Sequence, residues 1–233
     1  TPQLGGGFEQ GISNPQIPVA IFQIYSGMNA GAREGEIAVL WLKTLGVHAV
    51  MVSGPRSTEY FKPFANPNKF AGLLPVLWRE GDDMVYAVPE RSVSLARVVR
   101  VRDLVAREPE TGHLADPLRP YVAALEASDL PLAEWRWRNP HQATVLADLK
   151  TEHVLSIAVS YHPGWKARVN GRPRRVYPDK LGLMVVEPDC QGSCMVELDY
   201  TGGLEMSLAR LASWGGLCAG LAWIAASRRR GVA

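Results

Sequence analysis

Residues 211–226, LASWGGLCAGLAWIAA, contain no charged side chain, and this run constrains the chain more than any other feature. As a helix rising 1.5 Å per residue it covers about 24 Å. Extended back to Met206 it reaches about 33 Å, against a hydrocarbon thickness of about 30 Å, with Arg210 snorkelling toward the headgroups. Arg228, Arg229 and Arg230 follow at once, and basic flanks stay cytoplasmic. The expectation is one transmembrane helix over 206–227, with everything before it extracytoplasmic and the C-terminus in the cytoplasm. A buried core helix of a globular protein is the competing reading. Gly216 and Gly220 favour the membrane. Their GxxxG spacing lets a second helix approach closely in a bilayer, whereas two glycines inside a helix in water cost about 1 kcal/mol each against Ala.

Ahead of that run the composition is that of a folded body. With 233 residues and 47% hydrophobic content, the chain can bury one sizeable core or two small ones. Its 25 basic and 23 acidic residues leave a net charge of +2 and are interspersed, so no basic stripe marks a nucleic-acid partner. The sequence starts at Thr1 with a loose Gly5-Gly6-Gly7 stretch and no basic, then apolar, leader pattern. The reading is a piece of a longer protein, with further membrane helices upstream as partners of residues 206–227.

The body divides into an αβ region with a β-hairpin (1–133), a β-sandwich-like extracytoplasmic domain (134–203), and the helix with its basic tail (204–233). Together they make an α+β chain. Residues 19–24 read as a strand or extended connector. Glu34 and Glu36 open a helix at its positive end, with Ile37, Leu40, Trp41 and Leu45 on one face and Gly46 as the C-terminal stop. A buried strand is expected over 47–52, a hairpin over 73–88 turning at 79–83, a strand over 96–104 and a short helix over 120–127. Strands are expected over 134–138, 142–149, 153–159, 166–169, 174–177, 182–186 and 194–200. Asn170-Gly171 is a strong two-residue hairpin signal among them. Short strands at this spacing suggest a sandwich.

Several residues carry candidate chemistry. Pro163-Gly164-Trp165 places a Trp beside a turn, where it either packs a core or stacks on a sugar ring. Lys166, Arg168, Arg172, Arg174 and Arg175 alternate along a hairpin, either as a solvated strand face or as contacts for anionic headgroups or a sugar phosphate. Trp165, Lys166 and Arg168 are therefore the candidate substrate-binding set. Cys190 and Cys194 flank a short loop that either closes as a disulfide or holds two free thiols, and an extracytoplasmic position permits the first. Cys218 lies inside the apolar run and acts there as a small hydrophobe. Asp82 and Asp83 fall in the expected hairpin turn. The five histidines lack metal-ligand spacing, so neither a metal nor a cofactor is expected. No G-x-S-x-G elbow accompanies the scattered Ser, His and Asp residues.

The order of the segments 160–171 (SYHPGWKARVNG), 185–188 (VVEP) and 196–200 (VELDY), followed by an apolar helix, resembles the C-terminal end of YfhO-like bacterial membrane proteins. Those carry a Pro-Gly-Trp, Asn-Gly and Tyr succession before their last transmembrane helix. Residues 41–50, WLKTLGVHAV, resemble a segment further upstream in that family. The resemblance implies a polytopic protein related to GT-C glycosyltransferases, which use polyprenyl-phosphate-linked sugars outside the membrane. The catalytic acidic residue of such enzymes lies in an early extracytoplasmic loop that this chain does not contain. The role expected here is structural or acceptor-recognising, with membrane lipids, the other helices of the parent protein and a lipid-linked sugar or glycan as partners. The alternative is a membrane-anchored carbohydrate-binding or envelope-interaction module with no enzyme activity.

Overall fold

The computed structural model describes residues 14–230, with the side chains of residues 222 and 225–230 excepted. Gly5-Gly6-Gly7 and the last three residues lie outside the described residues. The chain opens with α1 (Gln16–Ser26), and α2 (Glu34–Leu45) follows. Residues 19–24 are thus helical, not extended. Ile17, Ala20 and Ile24 recur at helical spacing and are buried together with Gln16 and Gln23, a face too interrupted by polar residues to stand out as apolar. Pro18 sits in the first turn, where its missing N–H costs nothing. α2 matches the expected helix, with Glu34 and Glu36 in its first turn and Gly46 left-handed at its end.

β1 (Ala49–Ser53), β2 (Val76–Glu80) and β3 (Asp83–Ala87) form a three-stranded antiparallel sheet in the order β1-β3-β2. The hairpin is where the sequence places it. β1 is buried on alternate residues only, so the buried strand expected over 47–52 covers the core with one face and leaves Met51 outside.

β4 (Ala96–Arg100), α3 (Arg119–Glu126), β5 (Ala133–Asn139), β6 (Gln142–Leu149), β7 (His153–Ser160), β8 (Trp165–Val169), β9 (Arg172–Pro178), β10 (Leu183–Glu187) and β11 (Gly192–Tyr200) complete the body. The eight strands among them make one antiparallel sheet in the order β4-β7-β10-β9-β8-β11-β6-β5. Its two end strands meet through a bridge between Arg97 and Leu132, so the sheet is nearly closed. The expected sandwich is therefore corrected to a single curled sheet, which hides its edges by approaching itself. β4, which precedes residue 134, is one of its strands.

Burial explains why the strands read so differently in sequence. β8 alternates, with Trp165, Ala167 and Val169 inward and Lys166 and Arg168 outward, as a strand with one solvated face should. β7 and β10 are near-continuous apolar runs because they separate two cores. Leu155, Ile157, Met184 and Val186 fill the barrel interior. Val154, Leu183 and Val185 face the layer built by α1, α2 and α3.

α4 (Gly203–Arg230) is one continuous helix leaving the body. Among the described residues no helix is long and apolar enough to cross a membrane, so the transmembrane expectation for 206–227 is not supported on that ground. Arg210, Ser207, Ser213, three glycines and two tryptophans dilute its leucines. The core-helix alternative fares no better, because every described side chain from Leu204 onward is exposed, including Leu208, Leu211, Trp214, Leu217, Leu221 and Trp223.

Candidate functional site

The alternation of β8 sets the site. Trp165 is only 8% exposed and packs against the Tyr200 ring with centroids 5.2 Å apart. Its indole belongs to the barrel wall and presents no open face on which a sugar could stack. Gly164 is what lets this corner close. A Cβ there would stand 2.7 Å from the Gly203 nitrogen, and the Gly164 carbonyl accepts from both the N–H and the Oγ1 of Thr201, at 2.9 Å and 3.0 Å.

Lys166 and Arg168 point the other way, into an open depression of about 740 Å³ that they share with His141, Gln142, Asp199 and Tyr200. β11 lies between β8 and β6, so Asp199 faces Lys166 on one side and Gln142 on the other. Gln142 Nε2 donates to Asp199 Oδ1 at 2.6 Å. Arg168 approaches Asp199 Oδ2 at 3.8 Å, a loose ion pair. Lys166 Nζ donates to the Pro163 carbonyl at 3.0 Å, using one of its three protons. The His141 and Tyr200 rings stack with centroids 6.1 Å apart, and the Tyr200 N–H donates to the His141 carbonyl at 2.7 Å. Of the three residues singled out in the sequence, two line this depression and the third supports it from behind. His141, Gln142 and Asp199 gave no signal alone; the register of β6, β11 and β8 brings them together.

The rest of the basic row is spread out. Arg174 pairs with Asp189 at 3.1 Å and Arg175 with Glu187 at 3.4 Å, while Arg172 sits exposed at the hairpin turn. Cys190 and Cys194 form a disulfide with Cα atoms 6.2 Å apart, next to the turn that opens β11. Asp82 accepts from the Arg56 N–H at 2.7 Å, which holds its carboxyl below the usual carboxylate range. Gly216 and Gly220 lie on exposed α4 with nothing within 4 Å of where a Cβ would stand.

A second polar cluster lies where β4 and β5 approach. Glu90, Arg97, Lys43 and Glu126 surround a cavity of about 40 Å³, room for a water molecule or two. Arg97 Nη1 donates to the Thr44 carbonyl at 2.9 Å, closing the C-terminal end of α2. Burial pushes the Glu90 carboxyl up to about 7, and His48 Nδ1 lies 3.3 Å from it. These contacts tie β4 to the end of α2.

The depression carries groups able to bind a ligand through charge and hydrogen bonds. Asp199 is the one acidic side chain that lines it, so no two carboxylates face one bond there. Among the described residues no group of His, Cys, Asp and Glu could hold a metal ion. No family model matches the sequence, and comparison with curated proteins and with solved structures gives no match either.

Proposed function

We propose that this chain is the C-terminal extracytoplasmic module of a polytopic bacterial membrane protein resembling the YfhO-like, GT-C-related transferases, with a structural or acceptor-recognising role and no catalytic centre of its own. The observation that carries this reading is α4. A helix exposing Leu208, Leu211, Trp214, Leu217, Leu221 and Trp223 on all sides would in water leave a large apolar surface uncovered. Its moderate apolarity suits a helix packed among others better than a lone anchor, because small residues such as Gly216 and Gly220 then face neighbouring helices and need not meet lipid.

Two further features support the reading. The Cys190–Cys194 disulfide fits an oxidising compartment outside the cytoplasm. Arg228, Arg229 and Arg230 then end the helix on the cytoplasmic side. Within the depression, groups able to bind through charge and hydrogen bonds fit recognition of a lipid or acceptor. Reconstitution into phospholipid vesicles followed by alkaline carbonate extraction tests the proposal. The chain should stay with the vesicles; release into the soluble fraction, with α4 intact, would sink it.

A further inference from the structure

The groups in the depression are of both charges. Lys166 and Arg168 stand on β8 and Asp199 on its neighbour β11, with Lys166 directly opposite Asp199. A purely anionic ligand would meet Asp199 as a repulsion, and a purely cationic one would meet Lys166 and Arg168. Asp199 Oδ1 is held by Gln142, while its Oδ2 is only loosely matched by Arg168 at 3.8 Å. Lys166 keeps two donors free of the Pro163 carbonyl. What completes this arrangement is a ligand that accepts hydrogen bonds at one end and donates them at the other.

Position narrows the source. Tyr200 and Thr201 line the depression, and α4 begins at Gly203, two residues on. Where α4 enters a bilayer, this depression lies at the level of the lipid headgroups.

We infer that the depression seats a phosphoethanolamine headgroup of a membrane lipid. Lys166 and Arg168 take the phosphate, and Asp199, braced by Gln142, accepts from the ammonium. The stacked rings of His141 and Tyr200 form the wall beside it. A glycerol headgroup brings no cation to Asp199, and a choline headgroup brings a cation with no N–H to donate. The inference rests on the membrane reading of α4.

The test uses the full chain in nanodiscs of phosphatidylcholine carrying equal amounts of phosphatidylethanolamine and phosphatidylglycerol. Lipids co-retained after mild detergent release are counted by native mass spectrometry. Phosphatidylethanolamine should be retained about fivefold over each of the other two, the scale of one charge-assisted hydrogen bond. Asp199→Asn should bring it down to the phosphatidylglycerol level, and the double variant Lys166→Gln/Arg168→Gln should lower both. Glu197→Gln, on the same strand but outside the depression, should leave the preference intact and controls for folding. Equal retention of all three lipids, or a preference that survives Asp199→Asn, overturns the inference. Carbonate extraction of the same samples separates the two claims. A chain that stays in the bilayer without the preference fails this inference alone, whereas a chain that is extracted fails the membrane reading. An extracted chain that still binds glycerophosphoethanolamine in solution overturns the assignment to a lipid.

Discussion

Lys69 and Glu34 form an ion pair in which the lysine side chain has no solvent exposure and the glutamate retains 17%. Lys69 Nζ also donates to the Ile24 carbonyl at 2.9 Å and lies 5.7 Å from the centre of the Phe64 ring. One ammonium thereby meets the negative end of α1 and the first-turn carboxylate of α2 at once. It adds a charged tie between two helices that also share one apolar core.

Replacing Lys69 by Met should therefore destabilise the body by about 3 kcal/mol, because it takes the donor from the Ile24 carbonyl and leaves the partly buried Glu34 carboxylate without its ion pair. Glu34→Gln keeps a hydrogen-bonding partner and should cost clearly less. Urea midpoints at neutral pH check both; equal, small losses would contradict the account.

Glu90 makes stability depend on pH. Its carboxyl is raised to about 7 in the folded chain by burial, from 4.5 when unfolded, so the folded state holds the proton more tightly. That contribution is full below the unfolded value, declines as pH rises through about 7, and is gone above it. Asp179, raised by burial to about 6, acts in the same direction. Glu90→Gln removes the dependence at its own site. Its thermal midpoint relative to the wild type should rise between pH 5 and pH 8, by the equivalent of about 1–3 kcal/mol. Thermal scans across that range check it, and parallel curves would contradict it. Lys43, Arg97, Arg91, His48 and Glu126 are the other charged or titratable groups at this cluster, and the comparison leaves them in place.

The inside and outside of β8 should answer oppositely to substitution. Trp165→Ala empties a place in the barrel wall and should cost about 3–5 kcal/mol. Lys166→Gln, on the solvated face, should change stability by less than about 0.5 kcal/mol. Chemical denaturation of the two variants decides the matter, and similar losses would mean that the strand is out of register.

The strands were readable because each carries its own signal. The alternation of residues 165–169, the Asn170-Gly171 turn and the apolar runs of residues 154–157 and 183–186 place β7 to β10 within a residue or two. α1 was not readable, since its buried face includes Gln16 and Gln23 and so lacks a continuous apolar period. Closure of the sheet was hidden for another reason. Residues 97 and 132 meet only in space, and no local pattern distinguishes a curled sheet from two stacked ones. The same holds for the depression. Lys166 and Arg168 were visible as a basic alternation, but Asp199 and Gln142 join them only through strand register, and it is Asp199 that changes the ligand the site suits.

The proposed membrane placement depends on where α4 lies. Cys218 sits on that helix and is the one free thiol among the described residues, with Cys190 and Cys194 joined to each other. The direct measurement is labelling of the vesicle-reconstituted chain with a membrane-impermeant maleimide, without reductant, read by intact mass. A membrane-embedded α4 should take no label while the vesicles are intact and one label per chain once detergent dissolves them. Full labelling of Cys218 in intact, carbonate-washed vesicles would place α4 in water and contradict that placement.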